Sequence, residues 1–169
     1  MPSPSLQPPL PPRSPRVPST SIATPEPSPT TASATDLSIR SRGILIVDSC
    51  DHGRSAVAEL LRDCSYPVLE ASSGVEGLRV ALERSPALII AELWPFFSGG
   101  LQMIEELRKH AQTARIPVLV MTAADLPDYQ QRAVLSGCSG YLAKPCPSER
   151  LLAEVRRIIL ERMAGPWNQ

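Results

Sequence analysis

Four residues able to do chemistry each close a run of apolar residues. Asp48 follows Ile44-Leu45-Ile46-Val47, and Glu92 follows Ala87-Leu88-Ile89-Ile90-Ala91. Thr122 follows Val118-Leu119-Val120-Met121, and Lys144 follows Tyr141-Leu142-Ala143. Two carboxylates, a hydroxyl donor and an ammonium are the groups that handling a phosphoryl group requires. Such transfer rests on positioning and on neutralising the charge of the equatorial oxygens. The groups lie far apart in the chain, so they act together only if the fold brings the ends of their runs to one place.

The pattern around them says how. Apolar runs at 43–48, 67–71, 87–92, 116–122 and 140–144 read as strands. Between them, apolar residues spaced three or four apart predict helices near 52–64, 74–85, 100–110 and 126–137, with a last one near 148–163. Val57, Leu60, Leu61 and Cys64 carry the stripe of the first, and Leu152, Val155 and Ile159 that of the last. Ser73 followed by Glu76 has the spacing of a capping box. Pro127 and Pro147 suit first-turn positions. Strands alternating with helices predict an α/β fold, a doubly wound five-stranded parallel sheet covered on both faces. Right-handed crossovers bring every strand's carboxyl end to one edge, the edge where such sheets hold their ligands. Asp48, Glu92, Thr122 and Lys144 would meet there.

Composition limits the rest. Eleven of the 19 prolines fall in the first 29 residues, among many Ser and Thr. Such a stretch buries too little apolar surface to offset backbone ordering, so residues 1–42 are expected to form a disordered tail. The folded domain is expected over 43–163, followed by a short tail at 164–169. The opening lacks the apolar core of a signal peptide, and no run is long enough to span a membrane, so a cytoplasmic protein is expected. The formal charge of zero divides into +2 over residues 1–42 and −2 beyond, without the basic excess of a nucleic-acid binder. Cys50, Cys64, Cys138 and Cys146 form no CxxC pair, and His52 and His110 complete no zinc pattern.

At Ile44-Leu-Ile-Val-Asp48, the strand and loop from Pro86 to Gly100, Ile116-Pro-Val-Leu-Val-Met-Thr122-Ala123 and Gly140-Tyr-Leu-Ala-Lys144-Pro145, the sequence resembles the receiver domain of bacterial two-component response regulators, the CheY-like family. The resemblance covers about residues 43–163. It implies the flavodoxin-like strand order 2-1-3-4-5 with five helices. It also implies a phosphoacceptor at the end of the third strand, acids after the first strand that help bind Mg²⁺, and a Thr and a Lys that bond the phosphoryl oxygens. Tyr141 falls at the family's switch aromatic.

Two positions depart from that pattern. The phosphoacceptor position is Glu92, one methylene longer than aspartate, and a displacement of about 1 Å can cost a hundredfold in rate. Ser49 stands where the family has a second acid, and a hydroxyl is a poor ligand for a hard divalent cation. Asp48 and Glu92 remain as metal candidates, with weak or lost affinity for Mg²⁺. Thr122 and Lys144 are retained as contacts for a phosphoryl oxygen or for Glu92. Lys144 is one of only two lysines among 17 basic residues, which favours a specific role for its compact charge.

Other features carry less. In the loop after Glu92, Phe96 and Phe97 are expected to fold back over their own backbone, Trp94 is a candidate shield for the pocket mouth, and Pro95 sits one place earlier than the family's proline. Cys50 and Cys146 follow the first and fifth strands, where packing outweighs redox pairing. His52 reads as an exposed first-turn residue. The PxxP spacings of the tail read as a spacer before they read as a ligand for a polyproline groove.

The leading expectation is a stand-alone receiver-like module, not an enzyme, that is not phosphorylated in the ordinary way. It would act through protein–protein contacts with a histidine kinase or a downstream protein, without membrane or direct nucleic-acid binding, and with a homodimer conceivable through the 126–163 surface. The alternative is a working phosphoacceptor. A flavodoxin-type cofactor binder is disfavoured, because Asp48-Ser49-Cys50-Asp51-His52-Gly53 puts two acids where phosphate would have to sit.

Overall fold

The computed structural model describes residues 41–93, 99–123 and 127–164, apart from the side chains of Tyr129, Met163 and Ala164. The tail through residue 40, the aromatic loop 94–98 and the closing residues 165–169 lie outside the described residues. Five strands, β1 (Ile44–Val47), β2 (Val68–Ala71), β3 (Leu88–Glu92), β4 (Val118–Thr122) and β5 (Gly140–Ala143), form one parallel sheet in the order β2-β1-β3-β4-β5. They alternate with α1 (Asp51–Asp63), α2 (Gly74–Arg84), α3 (Gly99–Lys109), α4 (Pro127–Leu135) and α5 (Ser148–Ala164). The expected fold class and strand order are therefore observed. Among the described residues, no helix is long and apolar enough to cross a membrane.

Both faces of the sheet are buried, and the period of two sorts the residues between them. Ile44 and Ile46 of β1, Leu88 and Ile90 of β3, Leu119 and Met121 of β4 and Leu142 of β5 pack with Ala58 and Leu61 of α1 and Leu151, Val155 and Ile158 of α5. Leu45, Val47, Ile89, Ala91, Val118 and Val120 face the other way, against Ala81 of α2, Met103, Ile104 and Leu107 of α3 and Ala133 of α4. Continuous Ile, Leu and Val in the central strands thus reflects helices on both sides.

The ends of the elements follow local rules, with two refinements. Ser73 caps α2, its Oγ accepting the Glu76 amide at 3.2 Å. The carboxylate of Glu76 reaches back to the amide and hydroxyl of Ser72, one residue before the cap. Pro127 opens α4 as expected. Pro147 does not lie in the first turn of α5. It precedes the helix, and its carbonyl accepts the Arg150 and Leu151 amides at 3.0 and 3.1 Å. Having no N–H to lose, proline serves here as the residue that presents the first helical acceptor.

Two glycines are required by contact geometry. Gly43 enters β1 at φ +72°, and a Cβ there would stand 3.0 Å from the Pro67 carbonyl oxygen. Gly74 opens α2 so close to the start of α3 that a Cβ would collide with the Gly99 carbonyl. The first turns of α2 and α3 therefore meet backbone to backbone beside the carboxyl edge of the sheet.

Candidate functional site

Register places the chemistry. Val47 pairs with Ala91, Glu92 with Met121, and Thr122 with Ala143. Asp48, one residue past β1, thus arrives level with Glu92, and Lys144 comes one residue after Ala143, the partner of Thr122, at the same carboxyl edge. Parity then divides them. Asp48, Glu92 and Lys144 continue the rows of Ile46, Ile90 and Leu142, on the α1/α5 face. Thr122 continues the row of Val118 and Val120 on the opposite face.

The three charged groups converge. Lys144 Nζ lies 2.8 Å from Glu92 Oε1 and 3.0 Å from Asp48 Oδ2. The side chain of Asp48 is 5% exposed and that of Glu92 11%, so this is a nearly dry cluster bridged by one ammonium. Asp48 Oδ1 accepts the Cys50 amide at 2.7 Å. Lys144 is anchored by its backbone as well, its amide donating to the Thr122 carbonyl at 2.8 Å, and the Lys144–Pro145 bond is cis.

Two carboxyls and one ammonium leave an excess negative charge, and their ionisation is split accordingly. Burial pushes the Glu92 carboxyl up, and its hydrogen bond with Asp48 pushes it further, more than Lys144 can offset. Burial also acts to raise Asp48, but the hydrogen bonds from Glu92, Lys144 and the Cys50 amide outweigh it and hold Asp48 below its ordinary range. Burial acts against the Lys144 charge, and hydrogen bonds to Glu92 and Asp48 more than restore it, leaving its pKa raised. Glu92 is thus the carboxyl that holds a proton more readily, and Asp48 the one that stays ionised.

The hydroxyl of Thr122 donates to the Leu93 carbonyl. A hydroxyl has one proton, so donation to Glu92 or to a phosphoryl oxygen would require that bond to break. Tyr141, half-buried, packs against the α2/α3/α4 side with Cys138. Asp51 opens α1 with its side chain 88% exposed and turned to Arg54, so it does not replace the acid missing at Ser49. His52 is exposed. All four cysteines are free; Cys50 is exposed, and Cys146 packs against the α1/α5 core.

Mg²⁺ demands near-octahedral oxygen coordination. Here one Asp48 oxygen takes an amide, the other takes Lys144, and Glu92 Oε1 takes the same ammonium. Among the described residues no group of three or more His, Cys, Asp or Glu side chains is placed to hold a metal ion. Ser49 adds only a hydroxyl to these two carboxyls, and a hydroxyl is a poor ligand for a hard divalent cation.

One contributor was not legible beforehand. Arg54 of α1, with its side chain 15% exposed, donates through Nη1 to the backbone carbonyl of Asp48 at 2.8 Å. It also meets Asp51 Oδ1 at 2.5 Å and Glu70 Oε2 at 3.3 Å. The i,i+3 spacing of Asp51 and Arg54 was visible in the sequence. The reach of the guanidinium to a β1 carbonyl and a β2 carboxylate was not.

Comparison with known proteins identifies the family and the fold. The family model described as "Response regulator receiver domain" matches residues 44–156. The chain is 33% identical over 116 residues to the DNA-binding dual master transcriptional regulator RpaA of Synechocystis, covering 69% of this chain and 48% of that protein. It is 28% identical over 116 residues to protein PilH of Pseudomonas aeruginosa, covering 69% of this chain and 96% of that one. Among solved structures, the chemotaxis protein CheY4 of Vibrio cholerae superposes with a TM-score of 0.63 at 29% identity, over 68% of this chain and 96% of that one. The chain spans about half the length of several curated relatives it matches.

Proposed function

Because the chain belongs to the response regulator receiver family, we propose that it works as a two-component signalling module whose pocket is not phosphorylated in the ordinary way, and which acts by binding other proteins. The carrying observation is Lys144 held between Glu92 and Asp48. Glu92, longer than aspartate, brings its carboxylate onto the ammonium without a phosphoryl group. A glutamate carries one negative charge where a phosphorylated side chain carries about −1.5 to −2. Glu92 therefore acts as a partial, permanent imitation of the loaded state. The donor set supports weak or absent Mg²⁺ binding, which removes the neutralising cation that transfer normally uses.

The partners in this reading are a histidine kinase or a downstream signalling protein. Val134 and Leu135 at the end of α4 are 60% and 78% exposed, and Leu160 of α5, the helix on the other face of the sheet, is 60% exposed, which supports protein contacts through these two helices; Val75 of α2, at 82%, lies apart from them. A homodimer through the 126–163 surface is a narrower form of the same proposal.

The test is acyl-phosphate labelling. The full chain is incubated with a small phosphodonor and millimolar-range Mg²⁺, beside Glu92→Asp and Ser49→Asp/Glu92→Asp. Beryllofluoride, a stand-in for an acyl phosphate, is titrated in parallel. The expected result is no label on wild type and label on the double variant. Stable phosphate on Glu92 in the wild type would overturn the reading in favour of a working phosphoacceptor.

A further inference from the structure

Asp48 stands one residue beyond the last sheet pairing of β1, where its amide still donates to the Ala71 carbonyl of β2 at 3.1 Å, and its own carbonyl and side chain are held from α1. The first turn of α1 wraps around it. The Cys50 amide takes Oδ1, and Gly53 comes so near that a Cβ would stand 3.1 Å from Oδ2. Arg54 takes the peptide carbonyl, while its other nitrogens are tied to Asp51 in the same helix and to Glu70 in the edge strand β2. One guanidinium therefore joins three elements, and the point it holds is the carbonyl of the residue that pairs with Lys144. Glu70 has a second partner, the more exposed Arg62, at 2.6 Å.

We infer that Arg54 is a positioning residue for the charged pocket, orienting Asp48 from β2 and α1 so that its carboxylate meets Lys144. This rests on the pocket reading above, and deepens it by naming what holds the cluster together. Bidentate and charge-assisted bonds from a guanidinium give the geometric constraint that a lysine's point charge supplies only in part. The near-duplicate Arg62, sharing Glu70 but not Asp48, separates positioning from mere support of the β2 edge.

The experiment uses the two lysines as reporter and reference. Lys109, paired with Glu106 alone on the surface, is 65% exposed, and Lys144, between two carboxylates, is 24% exposed. The full folded chain is acetylated at low reagent, and the Lys144/Lys109 modification ratio is read by mass spectrometry. A free amine is what reacts, so each unit of raised pKa slows modification about tenfold. Wild type is expected to show Lys144 strongly protected. Arg54→Gln is expected to raise the ratio about threefold or more, equivalent to half a pKa unit. Arg54→Lys should restore part of the protection, and Arg62→Gln should leave the ratio at the wild-type value.

A folded Arg54→Gln with the wild-type ratio overturns the inference, and so does an equal rise in Arg62→Gln. If Arg54→Gln does not fold, Glu70→Gln decides, since it frees one side of the guanidinium: a raised ratio supports the inference and an unchanged ratio overturns it. If wild-type Lys144 were as reactive as Lys109, the Lys144 bridge itself would fail, and with it the pocket reading. Protection in wild type without any Arg54 effect would sink only this inference.

Discussion

Lys144 Nζ stands 2.8 Å from Glu92 Oε1, across 52 residues of chain, with the same nitrogen 3.0 Å from Asp48 Oδ2. The ammonium therefore bridges two nearly buried carboxyls. Removing it would leave both carboxyls in a dry site with no cation, and breaking a buried pair from one side is costly because the stranded charge remains.

Lys144→Met is accordingly expected to destabilise the fold by up to about 3–5 kcal/mol. Adding Glu92→Gln to it should recover part of the loss, because one of the stranded charges is gone. Urea denaturation of the single and double variants measures both. Equal stabilities for the two would contradict the bridging role.

The pH dependence follows from the opposed shifts. Asp48 is depressed, so its stabilisation is complete above about pH 4 and is lost as pH falls through its folded value. Glu92 is raised, so its contribution is full below about pH 4.3 and is lost as pH rises through its folded value. Lys144 is also raised, so its contribution holds until pH climbs past about 10.4 and through its folded value. Glu92→Gln, which has no proton to lose, should therefore gain stability relative to wild type between about pH 4 and pH 7. Thermal unfolding of the pair at both values checks this. A difference that stays constant with pH would refute the raised Glu92.

Gly74→Ala is expected to destabilise by about 1–3 kcal/mol, the usual cost of overpacking. Its Cβ would collide with a backbone carbonyl at the start of α3, which cannot rotate away as a side chain would. Gly99→Ala serves as the contrast: a Cβ there would find its nearest atom at 3.9 Å, so denaturant midpoints should separate the two variants.

Ser73→Ala should cost about 1 kcal/mol by leaving the Glu76 amide without its acceptor. Ser72→Ala should cost less, since it removes only the hydroxyl bond to Glu76 and keeps the amide bond. Hydrogen exchange in the first turn of α2 distinguishes the two.

The order of strands and helices, the shared carboxyl edge and the meeting of Asp48, Glu92 and Lys144 were legible in the amino-acid chain. Apolar runs and helical stripes are local signals, and a parallel sheet has one edge where its strands all end. The charge of Lys144, one of two lysines in a chain that mostly uses Arg, also pointed to the site. What only tertiary structure decided was which groups share a proton or a cation. The pleat sends Thr122 to the face opposite Lys144, where its hydroxyl meets the Leu93 carbonyl. The role of Arg54 depends on where α1 crosses β1 and β2, a distance no local pattern encodes. The preference of Glu92 for its proton arises from burial beside Asp48, a property of packing and not of residue type.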